Sequence, residues 1–552
     1  MSGSSNRALA AETGAAGHRD LARPALRHGL VVLLAGLALA ATTGVALWLT
    51  VGSLGWPLVH DGPLMHYVAQ RILAGAVPYR DLFDMNFPGV YLVHLAALRL
   101  LGPGDGAFRA FDLGLLTLAC AGAAYALRPF GPWAGGVVAS LFWLYHVAGG
   151  AWRTGQRDLV LCVPLSWMLA SAVAFAGSAR PGALAAAGLA LGIAVWIKPY
   201  AVLWSPLLLA LAWAARRRGR ALGLLAVAAA APAVPMLAWI AGSGALPAFA
   251  DILAHYLVPL YVHVGRVSPV DAVMSQYLGV PLLGALAAWA AVGALVLTTG
   301  RSGPAGRVGG ARAAADPDPG RLPQVLLLAG VGSGLLHYWL QGKGWEYHLY
   351  PLALFLVALG AAGFGQAVRQ RRLFAVLTLV ALLSATTWVL ARKGQGSLQP
   401  DWIAAKERRV QALAATLAPD VATGGTVQVF DTTEGGIHAL YLLGAREPSR
   451  FIYDFHFYHD VEHSYISRLR DELLTALAAR PPAAVVLFEA GWPSGGYERL
   501  EAFPALRDWL ARRYALAVSG DGYRVYRPIR QATRPGREVA GGGRAPLPPV
   551  GD

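Results

Sequence analysis

Charge is what this sequence is short of. Asp, Glu, Lys and Arg make up 14% of its 552 residues, against about 25% in soluble globular chains, which excludes an ordinary water-soluble protein. Cysteine is nearly absent as well. Cys120 and Cys162 both lie inside apolar runs, with no CxxC pair and no metal-type ligand beside either. They read as small core residues rather than a metal or redox site. There is no internal repeat at a fixed period and no nucleic-acid-binding module. The formal charge of +15 therefore belongs to loops between apolar runs, where membrane proteins concentrate cytoplasmic Arg and Lys.

What the chain has in plenty is long apolar runs. It is 56% hydrophobic, and the runs approach the roughly 20 residues with which a helix crosses a bilayer. The expected fold class is mainly α, a polytopic transmembrane helical bundle of about eleven spans with a small C-terminal α/β domain. The spans fall at 30–51, 108–127, 133–148, 159–176, 183–197, 200–214, 222–241, 277–297, 323–340, 349–364 and 373–390. Residues 1–28 read as an unstructured cytoplasmic N-terminus and 29–391 as the membrane domain, with a first external loop at 52–106. Residues 392–528 read as an external α/β domain and 529–552 as an unstructured tail, like the Gly, Arg and Pro rich stretch after the eighth span. Within the first loop, "PGVYLVHLAALRLL" from Pro88 to Leu101 is too short to span and reads as a helix lying on the bilayer surface. Residues 243–276 read as a second long external loop.

Polar groups are expensive at membrane depth and usually functional there. Most fall at the predicted external ends of spans: Asp61, His66, Asp81, Asp84, Arg153, Arg157, Asp158, Lys198, Lys343, Glu346, Tyr347 and His348. An external acid facing several cations suits an anionic, membrane-held substrate handled at the outer surface. Each has a plainer reading too. Asp61 is placed to cap a helix, Asp81 and Asp84 to organise the loop, and Asp158 to pair with Arg157 or Arg109. Arg109 is placed to snorkel to the interface, Lys198-Pro199 to make a local kink, and "GKGWEYH" to sit in an aromatic belt. "FHFYHDVEH" offers His456, His459, Asp460, Glu462 and His463, with His459 and His463 spaced to share a helix face. It lacks HExxH and reads as a solvated or acceptor-facing loop rather than a metal site.

Five segments carry a family likeness by their order and topological side: "HDGPLMHYVAQRILAG", "PYRDLFDMNFPGVYLVHLAALRLLG", "AFRAFDLGLLTLACAGAAYAL", "RTGQRDLVLCVPLSWMLA" and "GKGWEYHLYPLALFL". Together they resemble the polyprenyl-phosphate-dependent glycosyltransferases of GT-C architecture, in particular the protein O-mannosyltransferase and lipid A aminoarabinose transferase group. The resemblance covers residues 30–390. It implies an inverting transfer from a polyprenyl-phosphate-linked sugar to a glycan, lipid or protein hydroxyl, with Asp61 as the external-loop general base. Lys198, Arg157, Lys343 and His348 are the candidates for the donor phosphate, because leaving-group charge needs cations beside it. Asp81, Asp84, Tyr347 and Asp158 are the candidates for lining the substrate. Two positions depart from the family pattern. Gly62 follows Asp61 where relatives often have a second acid, and Phe87 precedes Pro88 where they often have Lys, so the phosphate grip has to come from elsewhere.

The implied setting is a bacterial inner membrane, with a periplasmic C-terminal domain. No cofactor is called for, and a divalent metal at the phosphate is left open. Two rival readings use the same charges. A lipid-linked sugar flippase would show pseudo-repeated halves, which are not seen, and a degenerate assembly subunit would have lost the external acid, which is retained.

Overall fold

The computed structural model describes residues 5–278, 282–299, 321–398, 401–492 and 495–529, the side chains of 5–26 and 275–278 excepted. Residues 5–28, expected to be unstructured, instead extend the first membrane helix, which runs Ser5–Gly52; residues 1–4, the expected tail from 530 and the Gly, Arg and Pro rich stretch at 300–320 lie outside this description.

Among the described residues, seven helical runs are long and apolar enough to cross a membrane. They are Arg27–Gly52, Asp105–Ala126, Arg157–Ser178, Arg218–Gly242, Leu282–Thr299, Glu346–Arg369 and the run that begins at Leu373. The other four expected segments are helical as well, at Pro132–Val147, Pro181–Ile197, Pro199–Trp213 and Leu322–Gln341. Small residues let these helices approach closely, as membrane interfaces require. A Cβ on Gly293 would lie 2.5 Å from the Gly360 Cα.

The first external loop holds helices Asp61–Leu73 and Pro88–Leu101. Residues 243–276 are a correction, because they are not a loop. Leu246–Ile252 runs directly into a π-helical stretch, Leu253–Tyr261, and a further helix follows at Pro269–Leu278. Pro259 sits inside the π-helical stretch; it has no N–H for an α-type bond, and the wider turns carry the helix past it.

The C-terminal part includes helices Asp401–Ala422 and Ser464–Ala479 and strands β1 (Val427–Phe430) and β2 (Ala484–Phe488), an α/β composition as expected. It also has a hairpin that the sequence reading did not identify, β3 (Tyr514–Gly520) and β4 (Tyr523–Pro528). The sheet order is β1-β2-β4-β3, with β1 and β2 parallel and the other pairs antiparallel. His459 and His463 do not share a helix face, since the helix begins only at Ser464 and His463 is its N-cap.

Among the described residues there are two large hydrophobic cores and a small cluster of Trp56, Val59, Ala151 and Ile403. One large core fills the helical bundle. The other joins Leu64, Met65 and Val68 of the first loop to Tyr256 and to Val429, Leu469 and Val486 of the α/β part. Phe83 bridges to Phe451, and Arg450 donates to the Tyr79 carbonyl at 3.2 Å. The first external loop and the C-terminal sheet are thus one packed body.

Gly293→Val should lower the melting temperature of the purified protein in detergent, because forced overpacking costs about 1–3 kcal/mol. Gly332→Val, which meets nothing within 4 Å, is the control and should leave it nearly unchanged.

Candidate functional site

Pro199 decides where Lys198 goes. Proline disfavours the α conformation in the residue before it, so the helix Pro181–Ile197 stops and Lys198 turns extended, at φ −151° and ψ 116°. Its Nζ donates to Asp158 Oδ2 at 2.6 Å, and His337 Nε2 meets the other Asp158 oxygen at 2.8 Å. Asp158, wholly buried in the first turn of the helix Arg157–Ser178, therefore pairs with neither Arg157 nor Arg109. Nor does Arg109 snorkel. It is buried, donating to Asp112 and to Ser53 Oγ at 2.5 Å each.

Gly89 fixes a second approach. A Cβ there would sit 2.5 Å from the Trp196 carbonyl oxygen and 3.0 Å from the Ile197 nitrogen. The start of the helix Pro88–Leu101 therefore lies against the end of Pro181–Ile197, and Phe87 and Lys198 share the wall of one cavity of about 270 Å³. Arg157, Lys343 and His348 line the same cavity, so all four expected phosphate ligands converge. His348 Nδ1 and Arg157 Nε are buried with no hydrogen-bond partner among the described residues. Another Arg157 nitrogen donates to Asn86 Oδ1. Lys343 stands between Gly342 and Gly344, which turn at φ 63° and 67°. Its ammonium donates to the carbonyls of Tyr261 (2.9 Å), Val262 (3.3 Å) and Val264, closing the end of the π-helical stretch.

A second cavity, about 150 Å³, contains Asp61 together with His60, Trp152, Arg157, Tyr261, Trp345 and Tyr347. Its far side is lined by Thr432, Thr433, Tyr453, Phe455 and Trp492 of the C-terminal part. Arg157, Asn86, Tyr261 and Trp345 line both cavities, so the two spaces share a wall. Asp61 opens the helix Asp61–Leu73, yet no side chain caps that helix and the N-cap position belongs to His60. His60 has φ 58°, a conformation that costs energy outside glycine, and its Nδ1 lies 3.2 Å from Asp61 Oδ1. Burial favours the neutral acid, but His60 and Arg157 outweigh it and hold the Asp61 pKa down at about 2.

The remaining sequence candidates stand apart from the two cavities. Asp84 is buried and accepts from Tyr91 Oη (2.5 Å), Asn86 Nδ2 (2.9 Å) and Tyr453 Oη (3.2 Å). Burial pushes its carboxyl above the ordinary range despite these bonds. Asp81 pairs with Arg80 at 2.8 Å on the other side of the loop, in a crevice with Arg71, Arg446, Arg450 and Arg480. Glu346 is tied to Arg153 and Lys393, which anchors the turn carrying Tyr347 and His348.

Both family departures have a local counterpart. A Cβ on Gly62 already meets Phe108 at 3.1 Å, leaving little room for a second acid. Phe87 packs against Trp196 and Phe249, and the cation in that part of the cavity wall is Lys198. The residues missed from sequence are the aromatic ones: Trp152, Tyr261, Trp345 and, across the fold, Tyr453, Phe455 and Trp492. Their signal was aromatic residues clustered in polar loops, as in "FEAGWPSGG".

Lys198→Met leaves the Asp158 carboxylate buried with His337 alone and should destabilise the protein by about 3–5 kcal/mol. Lys198→Met/Asp158→Leu should regain most of that loss, read as melting temperature.

No protein-family model matches the chain, and no curated protein matches it significantly by sequence. Solved structures do. ArnT from Cupriavidus metallidurans, determined with undecaprenyl phosphate bound, aligns over 92% of this chain and 99% of its own at 14% identity and a TM-score of 0.51. The oligosaccharyltransferase AglB from Archaeoglobus fulgidus, determined with an inhibitory peptide and dolichol phosphate, aligns over 90% and 74% at 13% identity and a TM-score of 0.49. At these identities the likeness shows the fold alone: the chain is a multi-helix membrane protein of GT-C architecture, folded like ArnT.

Proposed function

We propose that the protein is a membrane glycosyltransferase that moves a sugar from a polyprenyl-phosphate donor to an acceptor hydroxyl. It would work at the outer face of a bacterial inner membrane, with the C-terminal domain in the periplasm. The observation that carries this is the shared wall: the cavity of the one suitable acid, Asp61, meets the cavity of the cations at Arg157. The undecaprenyl phosphate bound to the similarly folded ArnT supports the choice of donor.

In this reading the phosphodiester of the donor lies against Lys198 and Arg157, with the unpartnered His348 nitrogen as a further contact and Lys343 at the rim. Asp158 and His337 set the Lys198 position without touching the donor. Asp61 takes the proton of the acceptor hydroxyl, the acceptor oxygen bonds to the anomeric carbon, and the bond from that carbon to the phosphate oxygen breaks. Polyprenyl phosphate leaves with its charge held by the cations. Tyr347 lies beside the reacting centre, and Asp81 and Asp84 shape the loop that carries it. The arrangement also tunes the base. Arg157 is one of the charges that depress Asp61, and a phosphate bound at Arg157 offsets that pull and makes the carboxylate more basic when the donor is present.

The test compares wild type and Asp61→Asn in membranes supplied with labelled polyprenyl-phosphate sugars. Asp61→Asn should lower transfer about 10²–10⁴-fold, the usual worth of a general base, and undiminished transfer would sink the mechanism. A pH profile gives an independent check. Asp61 titrates at about 2 in the free protein, below the roughly 3.9 of a free aspartate, so it is ionised at every pH above the ordinary carboxylate range. The acid limb of kcat/KM assigned to it should fall below that range, and Arg157→Gln should move the limb upward.

A further inference from the structure

We infer that the cavity beside Asp61 receives the transferred sugar as a single uncharged ring, clasped by aromatic side chains from the bundle and the C-terminal domain together. The inference rests on the donor reading above and names the substrate class of that site.

Six rings of the cavity lining form one unbroken arc. Trp152 lies 6.0 Å from Tyr347, Tyr347 5.5 Å from Trp345, and Trp345 5.7 Å from Trp492. Trp492 in turn lies 5.2 Å from Phe455, and Phe455 5.2 Å from Tyr453. The arc begins in the membrane bundle and ends in the α/β domain, crossing between them at Trp345 and Trp492. Trp152, Trp345 and Trp492 keep part of their surface open and face the cavity rather than filling it. The faces of aromatic rings are electron-rich, and the C–H bonds on the face of a pyranose are the electron-poor surface that stacks on them. The hydroxyl edge of such a ring finds Thr432 and Thr433 in the same lining.

Charge decides which sugars fit. The ionisable groups of the cavity are Asp61, Arg157, His60 and the phenols. An ammonium on the sugar needs a carboxylate of its own once it is out of water, and the only one present, Asp61, already stands against His60 and Arg157. A carboxylate on the sugar would lie beside Asp61 and repel it. The polyprenyl chain belongs in the other cavity, where Leu253, Leu257, Val258 and Ile197 supply an aliphatic wall.

The experiment measures binding by tryptophan fluorescence to the full-length protein in nanodiscs. The probes are undecaprenyl phosphate and the same lipid phosphate carrying glucose, mannose, 4-amino-4-deoxyarabinose or glucuronic acid. The bare lipid phosphate should bind, the hexose forms about tenfold more tightly, and the amino and acidic forms no better than the bare lipid. Trp152→Ala and Trp492→Ala should each erase most of the hexose gain while leaving bare-lipid binding intact, and Trp492→Phe should restore it, which separates lost stacking from misfolding. Equal gains from a charged sugar, or a hexose gain untouched by both alanine variants, would overturn the inference and leave the donor reading standing. Failure of the bare lipid phosphate to bind would overturn both.

Discussion

Lys198 and Asp158 meet at 2.6 Å with Asp158 fully buried and Lys198 nearly so, and much of the candidate site follows from that pair. An isolated ion in such surroundings costs several kcal/mol, and a paired one with its hydrogen bonds complete is tolerated. Asp158 completes its bonds with His337, so three separate helical segments are tied at one point. The same rule explains Arg109 with Asp112 and His146, and Arg153 with Glu346 and Lys393. Against this background two unpartnered atoms stand out by where they lie. Arg157 Nε and His348 Nδ1 are buried without partners among the described residues, and both side chains line the cavity where an anion would complete them. Arg109 Nε, Arg153 Nε and His337 Nδ1 are unpartnered too, but those side chains line neither cavity, so position rather than the missing bond is what singles out Arg157 and His348.

That requirement also accounts for how the chain departs from the family it resembles. A lysine before the loop's proline would put a cation at the start of the helix Pro88–Leu101. Here the position is Phe87, and the cation enters from the neighbouring helix end through Lys198. The exchange is geometrically available because Gly89 lets the two backbones touch and because Pro199 turns Lys198 out of its helix. At Gly62 the trade runs through packing: Phe108 takes the space that a second acidic side chain would need. In the proposed function, the same electrostatic demand is met with a different set of residues.

The fold was largely legible because a helix in lipid declares itself by hydrophobicity over a fixed length, and helix Pro88–Leu101 was found to the residue. Residues 243–276 were misread because their helices are short, interrupted by prolines, and mixed in polarity, features that in a soluble chain signal a loop. The hairpin 514–528 was missed although Asp521-Gly522 marks its turn, because its strands alternate too weakly. The site was legible as a set of residues and not as a set of contacts. Nothing in local sequence joins Asp158 to His337, which lies 179 positions away, and an acid beside Arg157 invites the wrong partner. The aromatic lining contributed by Tyr453, Phe455 and Trp492 was out of reach for the same reason, since only the tertiary fold brings the C-terminal part over the bundle.

The shared core between the first external loop and the α/β part bears on how substrates reach this site. Leu64 and Met65 line the Asp61 cavity on one side and pack into the core of the C-terminal sheet on the other. A domain held by a continuous apolar core does not swing freely, in contrast to domains that meet across small polar interfaces. The Asp61 cavity is therefore set before substrate arrives, and fixed dipoles and charges in a preformed site spare the reaction the cost of rearranging them. Access has to come from the two open sides instead. On the proposed reading, the aliphatic wall of Leu253, Leu257 and Val258 would guide a lipid-linked donor toward Lys198 and Arg157. In the proposed mechanism the acceptor would reach Asp61 through the other cavity, whose lining includes side chains of the C-terminal domain.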